Sequence, residues 1–308
     1  MLTFDSTRRG FLKAAAGATA GLWMTGGDVP VLAASTIMRK IPKSGEAVPA
    51  VGLGTSQTFD VTSGPDRDSC KEVLRRFAER GGRVVDSSPM YGAAEQLVGD
   101  LAAELGVGSK LFLATKVWTN GKEAGIRQMQ DSMRKMRTSR FDLMQVHNLM
   151  DVQTHLDTLR AWKKEGKVRY LGVTHYRSGV HGELESLMKS ASLDFVQLNY
   201  SMADRSAEDR ALPAAIDTGT AILINVPFAK GQLFSKTRGQ SLPEWAGEFD
   251  CTSWAQFFLK FVLGHPAVTC AIPATRNPDH VADNMNAGTG RLPDEKMRKR
   301  MVDYFAAL

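Results

Sequence analysis

Eight short runs rich in β-formers, each followed by a segment of helical period, predict an α/β protein. The expected architecture is a (β/α)8 TIM barrel with a short N-terminal hairpin and one extra C-terminal helix. Two further observations favour a barrel. Several runs are apolar without alternation, as in Ala221-Ile222-Leu223-Ile224, which marks strands buried on both faces. No low-complexity linker or charge block divides the chain after residue 34, so 34–308 reads as one domain.

The elements follow in order. A segment at 37–45 is expected as a hairpin plugging the barrel floor. Strands are predicted at 50–54, 83–87, 111–117, 141–147, 170–174, 195–199, 221–226 and 268–272. Helices alternate with them at 69–79, 94–104, 124–136, 152–164, 182–189, 207–217, 252–263 and 278–285, and a last helix spans 294–305. In the first of these, Val73, Leu74 and Phe77 form an apolar stripe beside Lys71, Arg75 and Arg76. Gly81-Gly82, Gly106 and Gly166 fall where helices should stop.

Composition narrows the class. With 23% charged residues of both signs interspersed, the chain reads as a soluble globular protein. The net charge of +6 is spread along the sequence. Its densest cluster, Lys296, Arg298, Lys299 and Arg300, reads as a solvated helix face, and no nucleic-acid partner is expected. A positive balance also suits phosphate-bearing small molecules. Cys70, Cys251 and Cys270 form no CxxC pair and have no metal-ligand spacing with histidine, so no metal site is expected. Cys70 and Cys270 read as buried small hydrophobes.

Residues 1–33 read as an address. Thr7-Arg8-Arg9-Gly10-Phe11-Leu12-Lys13 matches the twin-arginine export pattern, and the Ala- and Gly-rich stretch 14–24 suits a signal core. That stretch is shorter than the roughly 20 apolar residues a membrane span needs. Val31-Leu32-Ala33 offers small residues for cleavage before Ala34. The expected partner is therefore the twin-arginine export machinery, the expected location is the periplasm, and no stable membrane span should remain after cleavage.

Barrel active sites gather at the C-terminal ends of strands. Those ends carry Asp86 and Tyr91 after the second strand, Lys116 in the third and His147 in the fourth. Singly, each has an ordinary explanation as a cap, a loop aromatic, a strand end or a core histidine. Together they have a chemical logic. A free phenol titrates near ~10 and is a poor acid at neutral pH. An ammonium beside it stabilises the phenolate and lets the hydroxyl donate a proton to a carbonyl oxygen. Asp86 would keep the lysine charged and oriented in a dry pocket. His147 would donate a hydrogen bond to the same oxygen. Such a set receives a hydride on carbon and a proton on oxygen.

Five blocks resemble the aldo/keto reductase superfamily: Val51-Gly52-Leu53-Gly54-Thr55, Val85 to Gly92, Leu113-Ala114-Thr115-Lys116-Val117, Asp142 to His147, and Ile272-Pro273-Ala274-Thr275-Arg276. The resemblance runs over residues 36–305. It implies Asp86, Tyr91, Lys116 and His147 as the catalytic tetrad, NADP(H) as cofactor and a small-molecule carbonyl as substrate. It also implies cofactor contacts from Thr55, Thr174, His175 and Gln197, from Pro227, Phe228 and Lys230 in a pyrophosphate loop, and from Thr275, Arg276, His280, Asp283 and Asn284. Five positions depart from the family. Thr174 replaces a serine, His175 an asparagine, Asn225 a tyrosine that stacks on nicotinamide, Ala274 a lysine for the 2′-phosphate, and His280 an arginine.

Trp118, Tyr176, Phe228 and Trp254 are candidates for a carbonyl pocket, though packing accounts for each equally well. The loops after the fourth and eighth strands are short, which leaves that pocket open. An alternative to an enzyme is an NADP(H)-binding redox sensor or partner subunit with little turnover, suggested by the altered nicotinamide contacts and the scarcity of NADPH outside the cytoplasm. A hydrolase would want paired carboxylates, and Asp86 has no second acid at a neighbouring strand end.

Overall fold

The computed structural model describes residues 35–308. The expected export signal lies outside the described residues. Residues 34–308 form one unit built on ten strands and ten α-helices among the described residues.

A two-stranded antiparallel hairpin comes first, β1 (Met38–Lys40) with β2 (Ala47–Pro49). It reaches four residues beyond the segment expected from sequence, because the returning strand starts only after the turn at 41–46. Eight parallel strands follow: β3 (Leu53–Gly54), β4 (Val84–Asp86), β5 (Phe112–Val117), β6 (Phe141–His147), β7 (Val168–His175), β8 (Phe195–Asn199), β9 (Ala221–Asn225) and β10 (Val268–Ala271). They pair in sequence order. Parallel bridges between Val51 and Ala271 and between Gly54 and Ala274 close the barrel. Glycine is required at this seam: a Cβ on Gly54 would sit 2.7 Å from the Ile272 carbonyl oxygen, and one on Gly52 2.8 Å from that of Val84.

The outer layer comprises α1 (Pro65–Glu79), α2 (Ala94–Glu104), α3 (Lys122–Lys135), α4 (Val152–Lys164), α5 (His181–Ser190), α6 (Ala211–Thr218), α7 (Gln232–Lys236), α8 (Trp254–Leu263), α9 (Pro278–Ala287) and α10 (Glu295–Ala307). The stripe Val73, Leu74 and Phe77 is fully buried, and Gly81, Gly106 and Gly166 each take positive φ just past a helix. Two sequence expectations are corrected. The predicted helix at 207–217 begins only at Ala211, after a short 3-10 turn at Ser206–Glu208. Arg298 does not belong to a solvated face. It is buried, donating to the Phe261 carbonyl (3.1 Å) and pairing with Glu208 (2.6 Å), so it fastens α10 to the barrel. All three cysteines are free and buried.

Inside the barrel, residues two apart point inward together. At the floor and middle these are apolar: Val84, Phe112, Ala114, Leu143, Tyr170, Phe195, Leu223 and Cys270, sealed from below by Ile41 and Val48 of the hairpin. One step further up the same strands the inward positions turn polar.

Candidate active site

That upper layer consists of Asp86, Lys116, Gln145, Thr174 and Gln197, all buried, with His147 above Gln145 and a half-buried Asn225. Strand register brings them level: Lys116 pairs with Gln145, His147 with Thr174, and Thr174 with Gln197. Lys116 is fully buried. Its Nζ donates to Asp86 Oδ2 at 2.5 Å and to the Ser87 carbonyl at 2.6 Å. The other carboxylate oxygen accepts from Gln145 Nε2 (3.1 Å) and Gln197 Nε2 (2.9 Å). Thr174 Oγ1 donates to Gln197 Oε1 at 3.0 Å and extends the chain. Burial pulls the Lys116 pKa down, but the Asp86 carboxylate and the Tyr91 hydroxyl outweigh it and the net shift is upward. The ammonium is therefore retained in a dry site.

Tyr91 sits on the turn after β4, with Lys116 Nζ 5.1 Å from its ring centroid and the His147 ring edge-on at 5.9 Å. The turn is tight. Tyr91 N–H donates to the Ser88 carbonyl (3.0 Å), and Gly92 takes φ 59° with its Cα against Asp60. A Cβ on Gly92 would lie 2.1 Å from Asp60 Oδ1, which also accepts from Ala93 N–H at 2.9 Å. His147 is buried with Nδ1 2.9 Å from Ser88 Oγ. Burial first, then the Lys116 ammonium and His175, push its pKa down to about 3, so the ring is neutral at neutral pH. Trp118 borders the ring at 6.3 Å, and Gln128 grips both its backbone N–H (2.6 Å) and its carbonyl (3.1 Å).

The remaining candidates lie on three segments. His175, the last residue of β7, and the exposed Tyr176 stack face to face at 5.5 Å. Lys230 reaches over the other side of the mouth, 5.7 Å from the Tyr176 ring. Its loop carries a buried Pro227 and a half-buried Phe228 whose ring packs at a tilt against Phe234. That loop is strained: Val226, Ala229 and Lys230 take φ of 52°, 49° and 55°. After β10, Thr275 is buried and accepts from Asn277 N–H, exposed Arg276 pairs with Asp66 at 3.2 Å, and His280 stands exposed in the first turn of α9.

Two candidates turn inward. Thr55 is fully buried and donates to the Asp86 carbonyl at 3.0 Å, with Ser87 Oγ also 3.0 Å from its Oγ1. Asp283 accepts from Ser253 Oγ and Gln256 Nε2, both at 2.6 Å, tying α9 to α8; its neighbour Asn284 is buried. Trp254 packs in an aromatic cluster with Phe257, Phe258 and Tyr304. Sequence reasoning overlooked Gln145, Ser87, Ser88 and Asp60. Counting back two from His147 along an inward-facing strand would have found Gln145. The other three hold their partners through loop geometry that no spacing encodes.

The aldo/keto reductase family model matches residues 50–300, and the chain belongs to that family. It is similar to a methylglyoxal reductase of Escherichia coli O157:H7, 30% identical over 258 residues that cover 81% of this chain and 90% of the relative. Another methylglyoxal reductase, from Escherichia coli K12, is 29% identical over 77% of this chain and 84% of its own length. Among solved structures, an aldo/keto reductase from Klebsiella pneumoniae in complex with NADP and acetate superposes with TM-score 0.75 at 24% identity, covering 87% of this chain and 95% of that one, a likeness of fold.

Proposed function

We propose that this protein reduces small or medium-sized aldehydes and ketones to alcohols at the expense of NADPH, with Tyr91 as the proton donor. The observation that carries the reading is the buried Lys116 ammonium, held by Asp86 and the Ser87 carbonyl beside the Tyr91 ring. Relatives named for methylglyoxal make 2-oxoaldehydes the first substrates to assay.

The residues at the mouth fit NADP(H). Asn225 Oδ1 is buried without a partner, an acceptor suited to a carboxamide. Lys230 supplies a cation for pyrophosphate, and Arg276 and His280 at the start of α9 supply donors for a 2′-phosphate. Thr174, His175 and Gln197 would border the nicotinamide, and Asn284 the adenine. When bound, the cofactor supplies a hydride to the carbonyl carbon. The protein's own part is proton transfer. The Tyr91 hydroxyl gives its proton to the carbonyl oxygen, and the resulting phenolate is stabilised by the Lys116 ammonium until solvent returns a proton. Neutral His147 orients the carbonyl by donating from its ring.

Fluorescence titration with NADPH and NADH, followed by steady-state assay with methylglyoxal, tests this reading. NADPH should bind more tightly, and Tyr91→Phe should lower kcat about 10²–10⁴-fold without weakening NADPH binding. Tight binding with no oxidation by any carbonyl would favour the sensor alternative, which the departures at His175 and Asn225 motivate. On the twin-arginine pattern at 7–13 the protein is exported folded to the periplasm. Replacing Arg8 and Arg9 together by lysine should leave it inside the cell on fractionation.

A further inference from the structure

Ser88 lies between Asp86 and Tyr91 on the same turn, yet its side chain faces His147. It is fully buried, and its Oγ is 2.9 Å from His147 Nδ1. The same oxygen accepts from the Met90 N–H at 3.3 Å. A hydroxyl has one proton to give, and a buried one that gives it to nothing carries a penalty. The acceptor within reach of this hydroxyl is Nδ1.

A neutral imidazole has one nitrogen that donates and one that accepts, and the bond made by one fixes the role of the other. If Ser88 donates to Nδ1, the ring proton resides on Nε2. That nitrogen has no protein partner among the described residues. Sealed among Tyr91, Trp118 and the Lys116 ammonium, the ring stays neutral at working pH, so its tautomer decides whether it meets a carbonyl oxygen as donor or acceptor. With the proton on Nδ1 instead, the free nitrogen would present a lone pair to the carbonyl oxygen and repel it.

We infer that Ser88 is a positioning residue for carbonyl reduction, setting His147 as the Nε2–H tautomer and so making it a hydrogen-bond donor to substrate. The inference rests on the reductase reading for its catalytic consequence, but the tautomer itself needs no turnover. Gln145 and Gln197 orient Asp86, and Asp86 and Ser87 orient Lys116. Ser88 completes this pattern by giving the histidine its own fixed partner from the loop that carries the phenol.

The test uses the whole protein labelled with 15N-histidine, with the His147 signals assigned by comparison with His147→Gln. Long-range proton–nitrogen spectra should show wild-type His147 as a single Nε2–H tautomer. In Ser88→Ala the signals should move toward a mixture with the Nδ1–H form, and kcat should fall about tenfold while NADPH binding is unchanged. Ser88→Thr, which keeps the hydroxyl, should keep the wild-type tautomer. An Nδ1–H wild-type ring, or a Ser88→Ala spectrum identical to wild type, overturns the inference even in an active enzyme. A single Nε2–H ring in a protein that reduces no carbonyl would sink the reductase reading while leaving the tautomer assignment intact.

Discussion

The floor and the mouth of this barrel are built from the same strands, yet they obey opposite rules. At the floor, Phe112, Tyr170, Phe195 and the hairpin's Ile41 and Val48 are packed apolar groups that stabilise by leaving water. Two residues further along, Ala114 gives way to Lys116, Leu143 to Gln145 and Phe195 to Gln197. There a buried ion pair and two amides replace the hydrocarbon, and the backbone leaves the strands in strained turns such as Val226. Buried ions of this kind rarely add stability over an apolar filling. The contrast teaches that one end of the barrel is selected for packing and the other for a charge that must stay charged.

Breaking the ion pair at the mouth should have the largest effect. Lys116→Met leaves the Asp86 carboxylate buried without its cation. About 3–5 kcal/mol of stability should be lost in denaturant unfolding, and kcat should fall about 10²–10⁴-fold. Adding Asp86→Leu should restore much of the stability and none of the activity. If the double variant recovers no stability, the pair is structural and the contrast between the two ends fails.

A floor substitution should do the reverse. Phe195→Ala should cost about 3–5 kcal/mol on unfolding through its cavity, while kcat per folded molecule stays within about twofold. A large loss of kcat in the folded fraction would mean that floor and mouth are coupled.

A third effect should come from pH. Burial pushes His147 down to about 3 and His265 down to about 4, and lowers His175 as well. In the unfolded chain histidine titrates near ~6.5. Below that pH the unfolded state binds protons that the folded state refuses, so stability should fall as pH drops from ~6.5 toward ~4. His147→Gln should flatten part of that slope in urea melts taken at stepped pH, and an unchanged slope would place the protons elsewhere.

Much of this was legible in sequence because it is periodic. Strands 141–147 and 195–199 and helices 94–104 and 152–164 coincide with the observed elements, since each combines a clear apolar period with a glycine or polar stop. The start of α6 was missed because Ala207 and Ala211 suit a 3-10 turn and an α-helix equally. The four ionisable groups of the site were legible because their chemistry has few other uses at strand ends. Ser87, Ser88 and Asp60 were not, because serines and aspartates in loops are common and only the fold shows which of them faces a functional group.

By itself, the sequence determined the alternation of strand and helix, the family and the four ionisable groups Asp86, Tyr91, Lys116 and His147. These are properties of residue type and local spacing. Tertiary structure alone decided that Lys116 is held by a carbonyl as well as a carboxylate, that His147 meets Ser88, that Thr55 and Asp283 turn inward, and that Arg298 is buried rather than solvated. The reason is geometric. A hydrogen bond joins atoms within about 3 Å, and which atoms meet at that distance across a barrel depends on register and turn conformation.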